Sequence, residues 1–167
     1  FYMCWKYEFI LLIILSTCID YFCSIRMSNA TTKEKRKPYL FLSLFSNLAL
    51  LFFFKYMNFF TNSINMVGGL EIPHIDLILP MGISFYTFQT LSYSIDVYQG
   101  KLKAETHFGK FALYVSFFPQ LVAGPIERAD HLLPQLQKND SKFSYDNFIS
   151  GITQIIIGFF KKVVIAD

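Results

Sequence analysis

From Leu79 the chain carries a membrane-length stretch, LPMGISFYTFQTLSYSIDVYQGK, that is apolar overall and polar along one side. A second apolar run follows and breaks at FFPQLVAGPIER, residues 117–128. An ionisable group at membrane depth costs several kcal/mol, so Asp96, with Gln89 and Tyr93, has to be hidden from lipid. Such groups face a bundle interior or a water-filled cavity. The stretch therefore predicts a helical membrane protein with an internal polar site.

Composition supports the membrane part of that reading. Charged residues make up 16% of the chain, against about 25% in soluble domains. The mean hydropathy is +0.38. There are 20 phenylalanines and 19% aromatic residues, as expected when much of the surface faces lipid. The fold class is all-α: a multi-pass transmembrane helical protein. Cys4, Cys18 and Cys23 are odd in number and offer neither a disulfide framework nor a zinc spacing.

The formal net charge is +3, and its distribution matters more than its size. Arg26, Lys33, Lys35, Arg36 and Lys37 fall in one loop. A positive-inside signal explains them better than a nucleic-acid or lipid-headgroup patch does. Spans are expected at about 9–25, 39–60 and 77–98, with Asn47 and Lys55 interrupting the second. The loop between the second and third spans has no Lys or Arg, and the next holds Lys101, Lys103 and Lys110. The first and third loops are then cytoplasmic, and the N-terminus is outside. Residues 111–126 are short and hold Pro119, Gly124 and Pro125, which predicts a broken or re-entrant element. A last apolar segment covers 148–166, where Lys161 and Lys162 suit interfacial anchoring. Asp20 and the absence of a small-x-small site argue against a signal peptide at 9–23. The Asn29-Ala30-Thr31 sequon is discounted because its loop is placed in the cytoplasm.

On a helix, Gly82, Tyr86, Gln89, Tyr93 and Asp96 follow spacings of 4, 3, 4 and 3, which makes one stripe. Phe88, Leu91 and Ile95 are expected opposite. The stripe either lines a substrate path or bonds the helix to its neighbours; both readings turn it toward protein. Asp20, late in the first span, is expected near the basic loop with a local Arg or Lys partner. Lys55 is expected to snorkel to the interface.

Three passages, LPMGISFYTFQTLSYSIDVYQGK, FFPQLVAGPIER and GFFKKVVIAD, resemble the membrane-bound O-acyltransferases. Weaker likenesses lie at Asp20-Tyr21 and FFFKYMNFF, residues 52–60. The branch is that of the bacterial alginate O-acetyltransferases, near the D-alanyl transfer proteins of teichoic acid modification. The resemblance implies a many-helix enzyme with a central tunnel in the cytoplasmic membrane, and residues 1–167 as the N-terminal part of its single membrane domain. It implies transfer of an acyl group, acetyl in this branch, from a cytoplasmic thioester such as acetyl-CoA or an acyl carrier. The acceptor is a hydroxyl of an exported cell-surface polysaccharide, reached directly or through an extracellular acyl-relay protein. Neither a bound cofactor or metal nor a nucleic-acid partner is implied.

The family's catalytic histidine lies in a Trp/Arg-rich segment of the C-terminal half, and no such segment occurs here. The base is therefore expected beyond Asp167. A hydroxyl attacking a thioester needs a base of near-neutral pKa, for which imidazole is suited. His74, His107 and His131 read as solvated or interfacial, without a Ser, Cys or carboxylate partner at a convincing spacing. Candidate tunnel residues are Tyr86, Gln89, Tyr93, Asp96 and Arg128. Gly124 and Pro125 match the family's Gly-Pro-Ile turn and are expected to be structural. The competing readings are a transporter fragment, for which paired broken helices are wanting, and a non-catalytic scaffold.

Overall fold

The computed structural model describes residues 8–69, 73, 77–123, 127–137 and 143–166. It divides into two compact units, residues 1–137 and 138–167. Among the described residues all regular structure is helical.

The first unit is built around α1 (Phe9–Asn29), α2 (Lys33–Leu51) and α4 (Ile83–Gln99). Each of these three packs against the other two. A π-helical turn at Phe52–Tyr56 carries α2 on into α3 (Met57–Gly68). The joined helix of 36 residues is about 54 Å long. It outruns the expected 39–60 span at both ends, because the flanks are rich in Lys, Arg and Glu on one side and remain helical through Asn58, Thr61 and Ser63 on the other. Thr61 and Ser63 turn their hydroxyls back onto the carbonyls of Asn58 and Phe59. Lys55, inside the π turn, donates to Ser84 Oγ at 3.2 Å and lies 5.6 Å from the Tyr56 ring centroid.

Helix α4 begins later than the expected third span and has 17 residues, about 25 Å. Gly82 sets the start. Its φ of 73° is left-handed, and a Cβ there would lie 2.5 Å from the carbonyl oxygen of Leu121. Only glycine fits both conditions. Gly100, at φ 78°, sets the end. Its N–H donates to Val97 O, and that of Lys101 to Asp96 O, which is the Schellman closure of a helix C-terminus.

The run expected at 111–126 is divided into α5 (Phe108–Val115) and α6 (Phe118–Ala123). The break falls at Ser116 and Phe117, ahead of Pro119, which occupies the first turn of α6 where its missing N–H does no harm. Helix α7 (Ala129–Gln137) packs on α4 and α5, and α5 also packs on α1.

Two contacts place the basic loops at one end of this unit. Tyr21, eight residues before the end of α1, donates its hydroxyl to Thr106 O at 2.5 Å. Arg36 Nη1 lies 3.8 Å from where a Cβ on Gly100 would be. The end of α1, the start of α2 and the end of α4 therefore meet there.

In the second unit α8 (Tyr145–Phe160) continues as a π helix over Lys161–Ala166. Ser144 caps it by accepting from Asn147 N–H at 3.4 Å. Among the described residues, three helices are long and apolar enough to cross a membrane: Phe9–Asn29, Lys33–Gly68 and Tyr145–Ala166.

Candidate functional site: a buried polar seam on α4

The sequence of α4 yields two adjacent polar stripes. Tyr86, Gln89 and Tyr93 form the first, and all three are fully buried. Thr87, Thr90 and Ser94 form the second, one residue further round the helix, and they too are fully buried. Phe88 and Ile95 face outward, 48% and 37% exposed. Leu91, expected with them, is buried instead. At about 100° per residue it falls between Ile95 and Thr87, on the edge that packs against the neighbouring helices.

The second stripe meets a buried carboxylate. Asp20 of α1 accepts from Ser43 Oγ at 2.6 Å, and its two oxygens accept from Asn47 Nδ2 at 2.8 and 2.9 Å. Asn47 Oδ1 accepts in turn from Thr90 Oγ1 at 3.2 Å, and the hydroxyls of Ser43 and Ser94 lie 2.8 Å apart. Small hydroxyl residues let three helices approach closely, and Asp20, Ser43, Asn47, Thr90 and Ser94 each find a partner on another helix. The expected Arg or Lys partner of Asp20 is not what holds it. Asp20 lies nine residues before the end of α1, about 13 Å below the basic loop, and neutral donors reach it first.

The first stripe fastens α5 and the loop before it. Gln89 Nε2 donates to Tyr114 O at 2.8 Å, near the C-terminus of α5, where helical carbonyls lack partners. Tyr93 OH accepts from Glu105 N–H at 2.8 Å, and its ring lies 4.8 Å from that of Phe111. Among the described residues, burial also leaves Thr87 Oγ1, Gln89 Oε1 and both amide atoms of Gln120 on α6 without a protein hydrogen bond. Such groups in a native interior call for water, an ion or a ligand.

The other expected site residues stand apart. Asp96 is half-buried at the end of α4, where its carbonyl closes the helix. Arg128 is exposed, and its carbonyl accepts from the N–H groups of His131 and Leu132. Gly124, Pro125 and His74 lie outside the described residues. His131 does have a carboxylate partner, contrary to expectation: the ring contacts Glu127 four residues earlier. Both side chains are exposed, so the pair reads as a surface contact. Periodicity could have revealed Thr87, Thr90 and Ser94. No spacing within one segment announces Ser43, Asn47 or Gln120.

Over its whole length the chain is 34% identical to the peptidoglycan O-acetyltransferase of Helicobacter pylori, covering 36% of that protein. It is likewise 37% identical to a probable alginate O-acetylase, AlgI, of Pseudomonas aeruginosa, covering 33% of it. Along its whole length the chain is thus similar to membrane-bound O-acyltransferases. A teichoic acid D-alanyltransferase of Bacillus subtilis is 34% identical over 56% of the chain and 24% of its own length. The chain spans about a third of the length of the two O-acetyltransferase relatives. No family model and no solved structure matches it.

Proposed function

We propose that residues 1–167 form part of a membrane O-acetyltransferase that modifies an exported cell-surface polysaccharide from the cytoplasmic membrane. The observation that carries this is the full-length similarity to relatives named peptidoglycan O-acetyltransferase and alginate O-acetylase. The donor is a cytoplasmic thioester, acetyl-CoA or an acyl carrier. The acceptor is a sugar hydroxyl, met directly or through an acyl-relay protein outside the membrane.

In this reading the base that deprotonates the hydroxyl comes from outside residues 1–167. The α4–α6 seam builds part of the wall of the reaction tunnel. The unpaired oxygen of Gln89 and the unpaired amide of Gln120 supply an acceptor and a donor in a place shielded from water. A dry site strengthens hydrogen bonds to the oxyanion that forms when a hydroxyl attacks a thioester. Tyr86 shares the buried face, while Asp96 and Arg128 stand nearer the rim.

The test measures transfer of labelled acetyl from acetyl-CoA to the polysaccharide by the complete enzyme. Gln120→Leu keeps the volume and removes both amide atoms. It is expected to lower kcat by about tenfold or more, in the range of a lost polar contact at the reacting centre. Wild-type turnover by a normally expressed Gln120→Leu enzyme would remove Gln120 from the tunnel wall. Absence of transfer by the wild-type enzyme with any thioester would refute the activity itself.

A further inference from the structure

At the basic end, α1 and α2 diverge around a cleft of 730 Å³. Arg26, Asn29 and Lys35 line it, with Phe22, Ile25 and Tyr39 as its less polar wall. A positive-inside signal accounts for the number of cations here but not for their arrangement around a cavity. We infer that this cleft binds the phosphate headgroup of an anionic phospholipid.

The charge is available. Between Tyr21 and Phe54 there are five basic side chains and one acidic one, Glu34. Asp20 lies deeper and is occupied by Ser43 and Asn47. Glu105, on the loop at the same end, has its carboxylate held by the amide of Gln137 and by His107 N–H. Arg36 is used structurally: its Nε and Nη2 donate to Ala30 O at 3.1 and 3.0 Å, which fixes the turn between the helices. Arg26 and Lys35 remain for a ligand. The Arg26 guanidinium stands 5.0 Å from the centroid of the Phe22 ring, which orients it without neutralising it. Lys35 makes no ion pair among the described residues.

The surroundings favour a lipid over a free phosphate. Phe22, one turn before Arg26 on α1, is 49% exposed and lines the cleft together with Ile25 and Tyr39. Two cations beside an apolar wall of Phe22, Ile25 and Tyr39 suit an amphiphile whose head is anionic and whose tails pass along that wall. A soluble phosphate would use only the mouth.

The protein is purified, reconstituted into nanodiscs of phosphatidylcholine with a minor fraction of phosphatidylglycerol, and its retained lipid is read by native mass spectrometry. Wild type is expected to retain phosphatidylglycerol preferentially. The Arg26→Gln, Lys35→Gln variant is expected to lose roughly thirtyfold of that preference, the effect of two cations near an anionic surface. Both side chains are exposed, so folding is not at risk. Lys101→Gln with Lys103→Gln removes the same charge from the neighbouring loop and is expected to keep the preference. Equal losses in the two double variants would overturn the site in favour of a diffuse field. Displacement of the lipid by millimolar inorganic phosphate would overturn the lipid assignment in favour of a free anion.

Discussion

Asp20 shows how one side chain can decide the packing of three helices. Its carboxylate accepts from Ser43 and Asn47, and through them it engages Thr90 and Ser94 of α4. Asp20→Leu would remove the carboxylate acceptor of the Ser43 hydroxyl and of one Asn47 amide proton, the other Asn47 proton keeping its bond to Ser43 O. Each buried orphan costs about 1–3 kcal/mol. Asp20→Asn keeps one acceptor oxygen and the volume. Thermal unfolding of the purified protein is therefore expected to show a large loss for Asp20→Leu and a smaller one for Asp20→Asn. Equal melting of Asp20→Leu and wild type would mean that the network does not hold the helices. In the sequence, Asp20 looked like a residue for the basic loop, because proximity along the chain was the only guide. Its partners come from α2 and α4, 23 to 74 residues away, and packing alone brings them together.

Elements were easier to anticipate than their joints. The 3.6-residue period made the Tyr86–Gln89–Tyr93 stripe legible, because long polar side chains stand out in an apolar run. Threonine and serine at 87, 90 and 94 did not stand out, since short hydroxyls can satisfy themselves on their own backbone, as Thr90 does on Thr87 O. The break between α5 and α6 was legible from Pro119. The seat of α4 against α6 was not, because it depends on two backbones meeting at Gly82 and Leu121. That joint gives a prediction with an internal control. Gly82→Ala and Gly100→Ala both force alanine to a positive φ, worth about 1–2 kcal/mol. At Gly100 the nearest atom is the flexible Arg36 tip, 3.8 Å away, whereas at Gly82 it is the Leu121 carbonyl oxygen at 2.5 Å. Gly82→Ala should then be the more destabilising by at least about 1 kcal/mol, with faster amide exchange across residues 118–121. Equal unfolding temperatures for the two variants would deny the close approach.

At the scale of the whole molecule, the positive-inside argument and the packing are independent routes to one statement. The charge pattern puts the loops after the expected first and third spans on the same side. The contacts of Tyr21 with Thr106 and of Arg36 with Gly100 bring those loops to the same end without reference to any membrane. Met66, 88% exposed near the end of α3, belongs to the other end. Single cysteines at Ser28, Met66 and Lys103, in a background lacking Cys4, Cys18 and Cys23, separate the two claims. A membrane-impermeant maleimide on intact cells is expected to label Met66→Cys alone. Ser28→Cys and Lys103→Cys should react only after the membrane is opened. Labelling of Ser28→Cys and Lys103→Cys but not Met66→Cys would keep the fold and reverse its orientation, putting the basic cleft on the side away from a cytoplasmic thioester. Labelling that divides Ser28→Cys from Lys103→Cys would contradict the packing itself, because residues at one end of a bundle cannot lie on opposite sides of a bilayer.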